Sequence, residues 1–137
     1  MKSPLQSRRH ERTRRDHQTE TAEDYVEAVA DILAEKEICR VVDLARHFAV
    51  SHVTVSKIAS RLKTEGYLHS EPYGPIELTI KGKRVAVESK TRHKTVVDFL
   101  LAIGVSPMVA EIDAEGMEHH VSSETLSKFE KFTRAAR

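Results

Sequence analysis

Residues 113–120, Asp-Ala-Glu-Gly-Met-Glu-His-His, place three metal-ligand side chains at helical spacing. Glu118 and His119 follow Glu115 by three and four positions, so on a helix all three share one face. Carboxylates and imidazoles suit manganese and iron(II), whereas thiolates favour zinc or copper(I). The stretch therefore predicts part of a metal site. His120 would point about 100° away from His119 on the same helix, so we leave it out.

Three further residues have ligand chemistry but weaker individual signals. Asp24 and Glu27 are three positions apart in a predicted helix, and His93 lies midway along another, where a histidine is more often part of the core. With the first three they make four carboxylates and two imidazoles, and two divalent cations would balance the charge of −4. Without metal the carboxylates would repel one another. If all six converge, metal should draw the first helix toward the acidic one.

The net charge of +1 hides a strong segregation of charge along the chain. Residues 1–20 carry six Lys/Arg against three Asp/Glu, residues 39–69 carry five against two, and residues 106–124 carry five acids and no Lys or Arg. Solvated surfaces are the ordinary explanation of such runs. The alternative is a polyanion as the partner of the basic half and a cation as the partner of the acidic half.

Bulk composition predicts a soluble protein of the cytoplasm. The 137 residues are 39% hydrophobic and 31% charged, with no apolar run near the roughly 20 residues of a membrane helix. The N-terminus lacks an apolar signal core. Cys39 is the only cysteine, which excludes an internal disulfide and fits a reducing compartment.

The first half of the chain has the pattern of a winged helix-turn-helix. We predict a disordered basic tail over 1–20, a helix over 22–35 capped by Thr21, and helices over 41–48 and 52–65. Ser51 caps the third helix and Gly66 ends it. Extended stretches over 67–71 and 76–79 flank a turn, giving a small β-hairpin wing and a DNA-binding domain over 21–80.

The second half, 81–137, reads as a helical dimerisation and metal-binding domain, so the fold class is mainly α with a β-hairpin wing. A long helix over 81–103, capped by Thr79 and ended by Gly104, carries apolar residues around most of its second half. Such a helix must be buried on more than one side, which indicates a homodimer interface. Pro107 starts a helix to about residue 120, and Ser122 or Ser123 starts the last one.

The third helix is the candidate DNA-reading element, because its N-terminal residues would face base edges in the major groove. The predicted DNA-binding residues are Ser51, His52, Val53, Thr54, Ser56, Lys57 and Arg61. Lys57, Arg61 and Lys63 suit phosphate oxygens. A protein-interaction helix-turn-helix is the alternative. The tail arginines would either enter a minor groove or remain a solvated tail.

With these motifs the chain resembles the diphtheria-toxin-repressor family and, within it, the manganese transport regulators. The resemblance covers about residues 21–136 and rests on 23–27, 51–62, 79–83, 92–93, 104–107 and above all 113–122. It implies a pair of manganese ions per subunit held by Asp24, Glu27, His93, Glu115, Glu118 and His119. Iron-sensing relatives typically have methionine in place of Asp24 and cysteine in place of Glu115, so the acids here favour manganese.

The resemblance implies a transcriptional repressor rather than an enzyme. Mn²⁺ would act as corepressor by ordering a homodimer for double-stranded operator DNA upstream of manganese uptake genes, with no small organic substrate and no membrane partner. An iron(II)-responsive repressor, a metal-independent winged-helix regulator with an organic effector, and a di-metal hydrolase are the alternatives. Two departures from relatives are expected: Gly74-Pro75 replaces a wing arginine, and no SH3-like third domain follows.

Overall fold

The computed structural model describes residues 4–137, apart from the side chain of residue 18. Its elements, in chain order, are α1 (Pro4–Lys36), α2 (Val41–Phe48), α3 (His52–Thr64), β1 (Leu68–His69), β2 (Glu77–Leu78), α4 (Ile80–Ala102), α5 (Pro107–Met117) and α6 (Ser123–Ala136). The chain divides into two compact units, one of residues 21–87 and one of residues 4–20 with 88–137. The predicted fold class, mainly α with a small β-hairpin, is confirmed.

The unit of residues 21–87 packs α2, α3 and the hairpin on the second half of α1. Its core contains side chains with no exposed surface, among them Val26, Val29, Leu44, Val55 and Leu62. Ser51 caps the start of α3 as predicted, because its hydroxyl accepts the Thr54 amide N–H at 3.1 Å. Cys39 is fully buried, and burial is the largest cause that raises the pKa of its thiol to about 11.

The strands are two residues long, shorter than the stretches predicted over 67–71 and 76–79. They pair antiparallel, Leu68 opposite Leu78 and His69 opposite Glu77. Pairing ends there because the Ile76 amide donates to the Cys39 carbonyl at 2.7 Å rather than to the neighbouring strand. Beyond it, Tyr73 at the tip adopts a φ of 62° and is fully exposed.

The start of α4 depends on a glycine at a close backbone approach. Thr79 caps the helix by accepting the Gly82 amide N–H at 3.0 Å. A Cβ atom at Gly82 would lie 2.2 Å from the Tyr67 carbonyl oxygen. We expect Gly82→Ala to lower the free energy of unfolding by about 1–3 kcal/mol, since the backbone must shift to relieve the overlap.

Denaturant unfolding of the metal-free protein tests this, with Gly116→Ala as the matched control. Gly116 is also helical, and a Cβ there meets nothing within 4 Å. The control should be neutral or slightly stabilising, because alanine has the higher helix propensity. Equal midpoints for Gly82→Ala and Gly116→Ala would contradict the structural role of Gly82.

The N-terminal prediction of disorder is wrong for residues 4–20, which form the first half of α1. Thr21 therefore lies inside a helix and does not cap one. Polar contacts replace the missing apolar stripe: Arg12 pairs with Asp16 one turn later at 3.3 Å, and Asp16 is 9% exposed. The segment is rich in residues that favour helices. The same helix continues through residues 21–36, which have an apolar face.

The second unit has its core between α4, α5 and α6. Val96, Val97 and Leu100 are buried against Ala110 and Ala114, and Phe99 stacks on Phe129 with ring centroids 3.9 Å apart. Other large apolar residues of this unit are exposed in the single chain, namely Leu5, Leu101, Ile103, Met108, Val109, Ile112 and Phe132. Among the described helices, none combines the length and the apolar composition that a membrane span requires.

Candidate metal centre and DNA-reading helix

His93 on α4 lies at the centre of a group of carboxylates contributed by α5. Its Nδ1 is 3.0 Å from Glu118 Oε2 and 3.6 Å from Glu115 Oε2. Ligand atoms of these three residues lie within 4.8 Å of one another. The structure thus brings together three of the predicted ligands, and the His93 side chain is 22% exposed rather than sealed in an apolar core.

Glu118 and His119 are the buried members of the predicted ligand set. The side chain of Glu118 is 0% exposed and that of His119 is 1% exposed, with His119 Nε2 3.4 Å from Glu118 Oε1. Burying a carboxylate is costly unless positive charge or hydrogen bonds compensate it. A buried carboxylate between two imidazoles therefore fits a site for a cation.

The helix that carries these residues ends earlier than predicted. α5 ends at Met117 rather than near residue 120, and Glu118 is its C-cap residue with helical φ and ψ of −57° and −30°. Glu115 and Glu118 therefore keep their shared face. His119 follows the helix, because the chain turns there toward Ser122, whose hydroxyl caps α6.

Glu111 belongs to the same group and was missed by the sequence prediction. Its Oε2 lies 2.8 Å from His93 Nε2, the ring nitrogen opposite the one near Glu118. The side chain of Glu111 is 62% exposed. A signal was present in the sequence, because Glu111, Glu115 and Glu118 follow the four-and-three spacing of one helix face.

His93 has a raised pKa in the metal-free protein. Burial alone would lower it, but the hydrogen bond with Glu111 and the charges of Glu118, Glu115 and Glu111 together outweigh burial. The fold thus stabilises the imidazolium. An imidazole that binds a metal must be neutral, so protons would compete with a metal at the predicted ligand His93.

The raised pKa predicts how the stability of the metal-free protein depends on pH. Protonated His93 should stabilise the folded state in full below pH 6.5, its ordinary pKa in the unfolded chain. This stabilisation should be lost as the pH rises through the raised pKa of the folded protein. We expect the wild type to exceed His93→Gln in free energy of unfolding by an amount that shrinks with increasing pH. Chemical denaturation with a chelator present measures this, and a pH-independent difference would contradict it.

His120, set aside as a ligand, contacts the first half of α1. Its Nδ1 lies 3.2 Å from Asp16 Oδ2, its Nε2 lies 3.5 Å from Glu20 Oε2, and its carbonyl accepts from Arg12 at 3.1 Å. A ligand atom of Glu20 also lies within 4.8 Å of one of His119. The segment predicted to be a disordered tail therefore packs beside the predicted ligands Glu118 and His119.

Asp24 and Glu27 lie on α1 in the other compact unit, and both are partly buried. Their three-residue spacing in a continuous helix puts them on one face, as predicted. The full set of six has carboxylate and imidazole donors without a thiolate. That donor chemistry fits manganese or iron(II).

The predicted DNA-reading residues are exposed at the start of α3. Val53 is 70% exposed, and Lys57 is exposed one turn later. Arg61 pairs with Glu65 at 3.5 Å. The remaining predicted residues, Ser51, His52, Thr54 and Ser56, are exposed as well. Such a surface has groups for base edges and for phosphates.

Two family models match the chain. The model described as "Iron dependent repressor, N-terminal DNA binding domain" matches residues 17–76, and "Iron dependent repressor, metal binding and dimerisation domain" matches residues 79–136. "Transcriptional regulator MntR" of Escherichia coli O6:H1 is 47% identical over 117 residues, which are 85% of this chain and 76% of that protein. "HTH-type transcriptional regulator MntR" of Bacillus subtilis is 36% identical over 110 residues, 80% of this chain and 78% of that protein.

Solved structures of metal-dependent regulators have the same fold. A "Manganese-dependent transcriptional repressor complex with manganese" gives a TM-score of 0.72 at 25% identity, covering 82% of this chain and 52% of that one. The "manganese regulator SloR" gives a TM-score of 0.71 at 24% identity, covering 82% and 53%. The chain thus spans about half the length of these structures. The resemblance to manganese transport regulators noted from the sequence is confirmed by the curated relatives.

Proposed function

The chain belongs to the iron-dependent repressor family, and from this premise we propose that it is a manganese-dependent repressor of transcription that binds operator DNA as a homodimer. One observation supports the metal dependence: potential ligand atoms of His93, Glu115 and Glu118 lie close together in one group. The similarity to a solved manganese-dependent transcriptional repressor, and to transcriptional regulators named MntR, supports manganese as the effector.

The ligand set of the proposal is Asp24, Glu27, His93, Glu115, Glu118 and His119. Mn²⁺ supplies positive charge, and two ions per subunit would neutralise the four carboxylates. Asp24 and Glu27 belong to α1, and the other four belong to α4, α5 and the turn after α5. Iron(II) suits the same donors and is the second effector to test.

Operator binding is the task of α3 in this proposal, within a DNA-binding domain of about residues 21–80. Residues 81–137 form the dimerisation and metal-binding domain, and the exposed apolar side chains of α4 and α5 are the surface for a second copy. Two recognition helices at a fixed spacing enter successive major grooves about one turn apart. Ordering of α1 by its own carboxylates would fix that spacing.

The proposal is tested by selecting DNA with the purified full chain from a random duplex pool, once with Mn²⁺ and once with a chelator. We expect a palindromic sequence to be enriched only with Mn²⁺. Its affinity should fall at least about tenfold when the metal is removed, a coupling of about 1.4 kcal/mol. By linkage, the selected DNA should tighten Mn²⁺ binding by the same factor. Equal enrichment and affinity in both conditions would overturn the proposal.

Separate arms of the same experiment distinguish the effectors. Fe²⁺ under anaerobic conditions replaces Mn²⁺ in one arm. A stronger response to Fe²⁺ at equal free concentration would make the protein an iron(II)-responsive repressor. The target would be expected among manganese uptake genes, so the selected sequence is then sought in promoters of such genes.

A further inference from the structure

We propose that Glu111 is a positioning residue that fixes the tautomer of His93, so that Nδ1 and not Nε2 is the ring nitrogen presented to the metal. The inference rests on the proposed function. It assigns a role to a carboxylate outside the ligand set implied by the family resemblance. The observation behind it is that carboxylates flank the two ring nitrogens of His93 on opposite sides.

The two sides of the ring have different surroundings. The Nδ1 side faces Glu118 at 3.0 Å and Glu115 at 3.6 Å, and the Glu118 side chain is fully buried. The Nε2 side faces Glu111 alone among the contacts of the described residues, at 2.8 Å, and Glu111 is 62% exposed. The buried side, where several ligand groups meet, is the side on which a cation is held. The exposed side is the one on which a proton is held.

A neutral imidazole has one N–H donor and one lone pair. With Nε2–H donated to Glu111, the lone pair is on Nδ1 and points at Glu115 and Glu118. Without Glu111, the Nε2–H tautomer loses its acceptor, and the Nδ1–H tautomer gains by donating to Glu118. In that tautomer the nitrogen beside the ligand carboxylates carries a proton and cannot bind a metal. Histidines that bind metals commonly donate the second N–H to a carboxylate, and losing that partner costs about 10–100-fold in metal affinity.

Glu111 has a place in the fold suited to this role. It lies on α5 one turn before Glu115, and His93 lies on α4 of the same unit. Because α5 supplies the carboxylates on both sides of the ring, the helix sets the position and the orientation of His93 together. An exposed carboxylate can act in this way through a hydrogen bond, which requires no net burial of charge.

The test uses the full chain and compares Glu111→Ala with Glu111→Gln. Asp113→Ala serves as the matched control, since Asp113 is an exposed acid of the same helix. Nitrogen-15 NMR of the chelator-treated protein, at a pH where His93 is neutral, reads the tautomer directly. Calorimetric titration with Mn²⁺ alone reads the affinity. The tautomer of the metal-free protein is a property that a purely structural role for Glu111 would not change.

In wild type and Asp113→Ala we expect the Nε2–H tautomer and equal Mn²⁺ affinity. Glu111→Ala should shift His93 toward Nδ1–H and bind Mn²⁺ at least about tenfold more weakly. Glu111→Gln should restore most of both, because its amide oxygen still accepts from Nε2–H.

Two results would overturn the inference. One is an unchanged tautomer in Glu111→Ala. The other is an affinity in Glu111→Gln as weak as in Glu111→Ala, which would make Glu111 a ligand through its charge. Failure of wild type to bind Mn²⁺ would instead refute the proposed function, whatever the tautomer.

Discussion

Replacing Glu118 with glutamine should lower Mn²⁺ affinity at least about 100-fold and abolish manganese-dependent operator binding. Glu118 is the fully buried carboxylate of the cluster, and it contacts His93 and His119. Glutamine has the same shape but lacks the negative charge, so the positive charge of the ion loses its buried counter-charge. Losses of 10–100-fold are typical for residues that only support a metal ligand, so a ligand should cost at least as much.

Mn²⁺ titration and operator binding on the same preparations measure the effect of Glu118→Gln. Asp113→Asn is the matched control, because it also removes one acid, at an exposed position of α5 outside the cluster. The control should bind Mn²⁺ and DNA as wild type does. If both variants lose the same affinity, general electrostatic attraction explains metal binding and the site is not specific.

Replacing Lys57 with alanine should weaken operator binding about tenfold in the presence of Mn²⁺ and leave Mn²⁺ affinity in the absence of DNA unchanged. Lys57 is exposed on α3, one turn after Val53. We propose that its ammonium group contacts a DNA phosphate. The slope of log affinity against log salt should therefore fall in magnitude by about 1.

The comparison variant for Lys57→Ala is Lys128→Ala, which removes an exposed lysine of α6. Operator affinity and its salt slope should both remain those of wild type. A loss of affinity in Lys57→Ala with no change of slope would assign Lys57 to a base contact. No loss at all would remove Lys57 from the DNA interface.

Helix positions that the sequence predicted well are those fixed by apolar periodicity and local capping. α2 has its predicted bounds, α3 begins after Ser51, and α6 begins after Ser122. The serine caps of α3 and α6 and the apolar periodicity of α2 are local signals that tertiary contacts do not override.

The first half of α1 could not be predicted in the same way, because its stabilising partners are distant in sequence. The contacts of Arg12, Asp16 and Glu20 with His120 join positions about a hundred residues apart. A basic segment without an apolar stripe has the composition of disorder when only its own residues are considered. The interaction with the turn after α5 is visible only in three dimensions.

For the candidate metal centre, the sequence predicted which residue types could bind a metal more readily than it predicted their surroundings. The grouping of His93 with Glu115 and Glu118 was predicted, whereas the end of α5 at Met117 and the contact with Glu111 were not. Ligand spacing is a local property. The burial of Glu118 and the two-sided surroundings of His93 depend on how α4 and α5 pack.

We propose that Asp24 and Glu27 are manganese ligands, alongside the four predicted ligands of the second unit. A crystal structure of the manganese-loaded homodimer, with the ions located by anomalous scattering, would show which residues coordinate them. We expect two ions per subunit, with Asp24 and Glu27 coordinated beside His93, Glu115, Glu118 and His119. Ions held by residues of the second unit alone, with Asp24 and Glu27 uncoordinated, would contradict it.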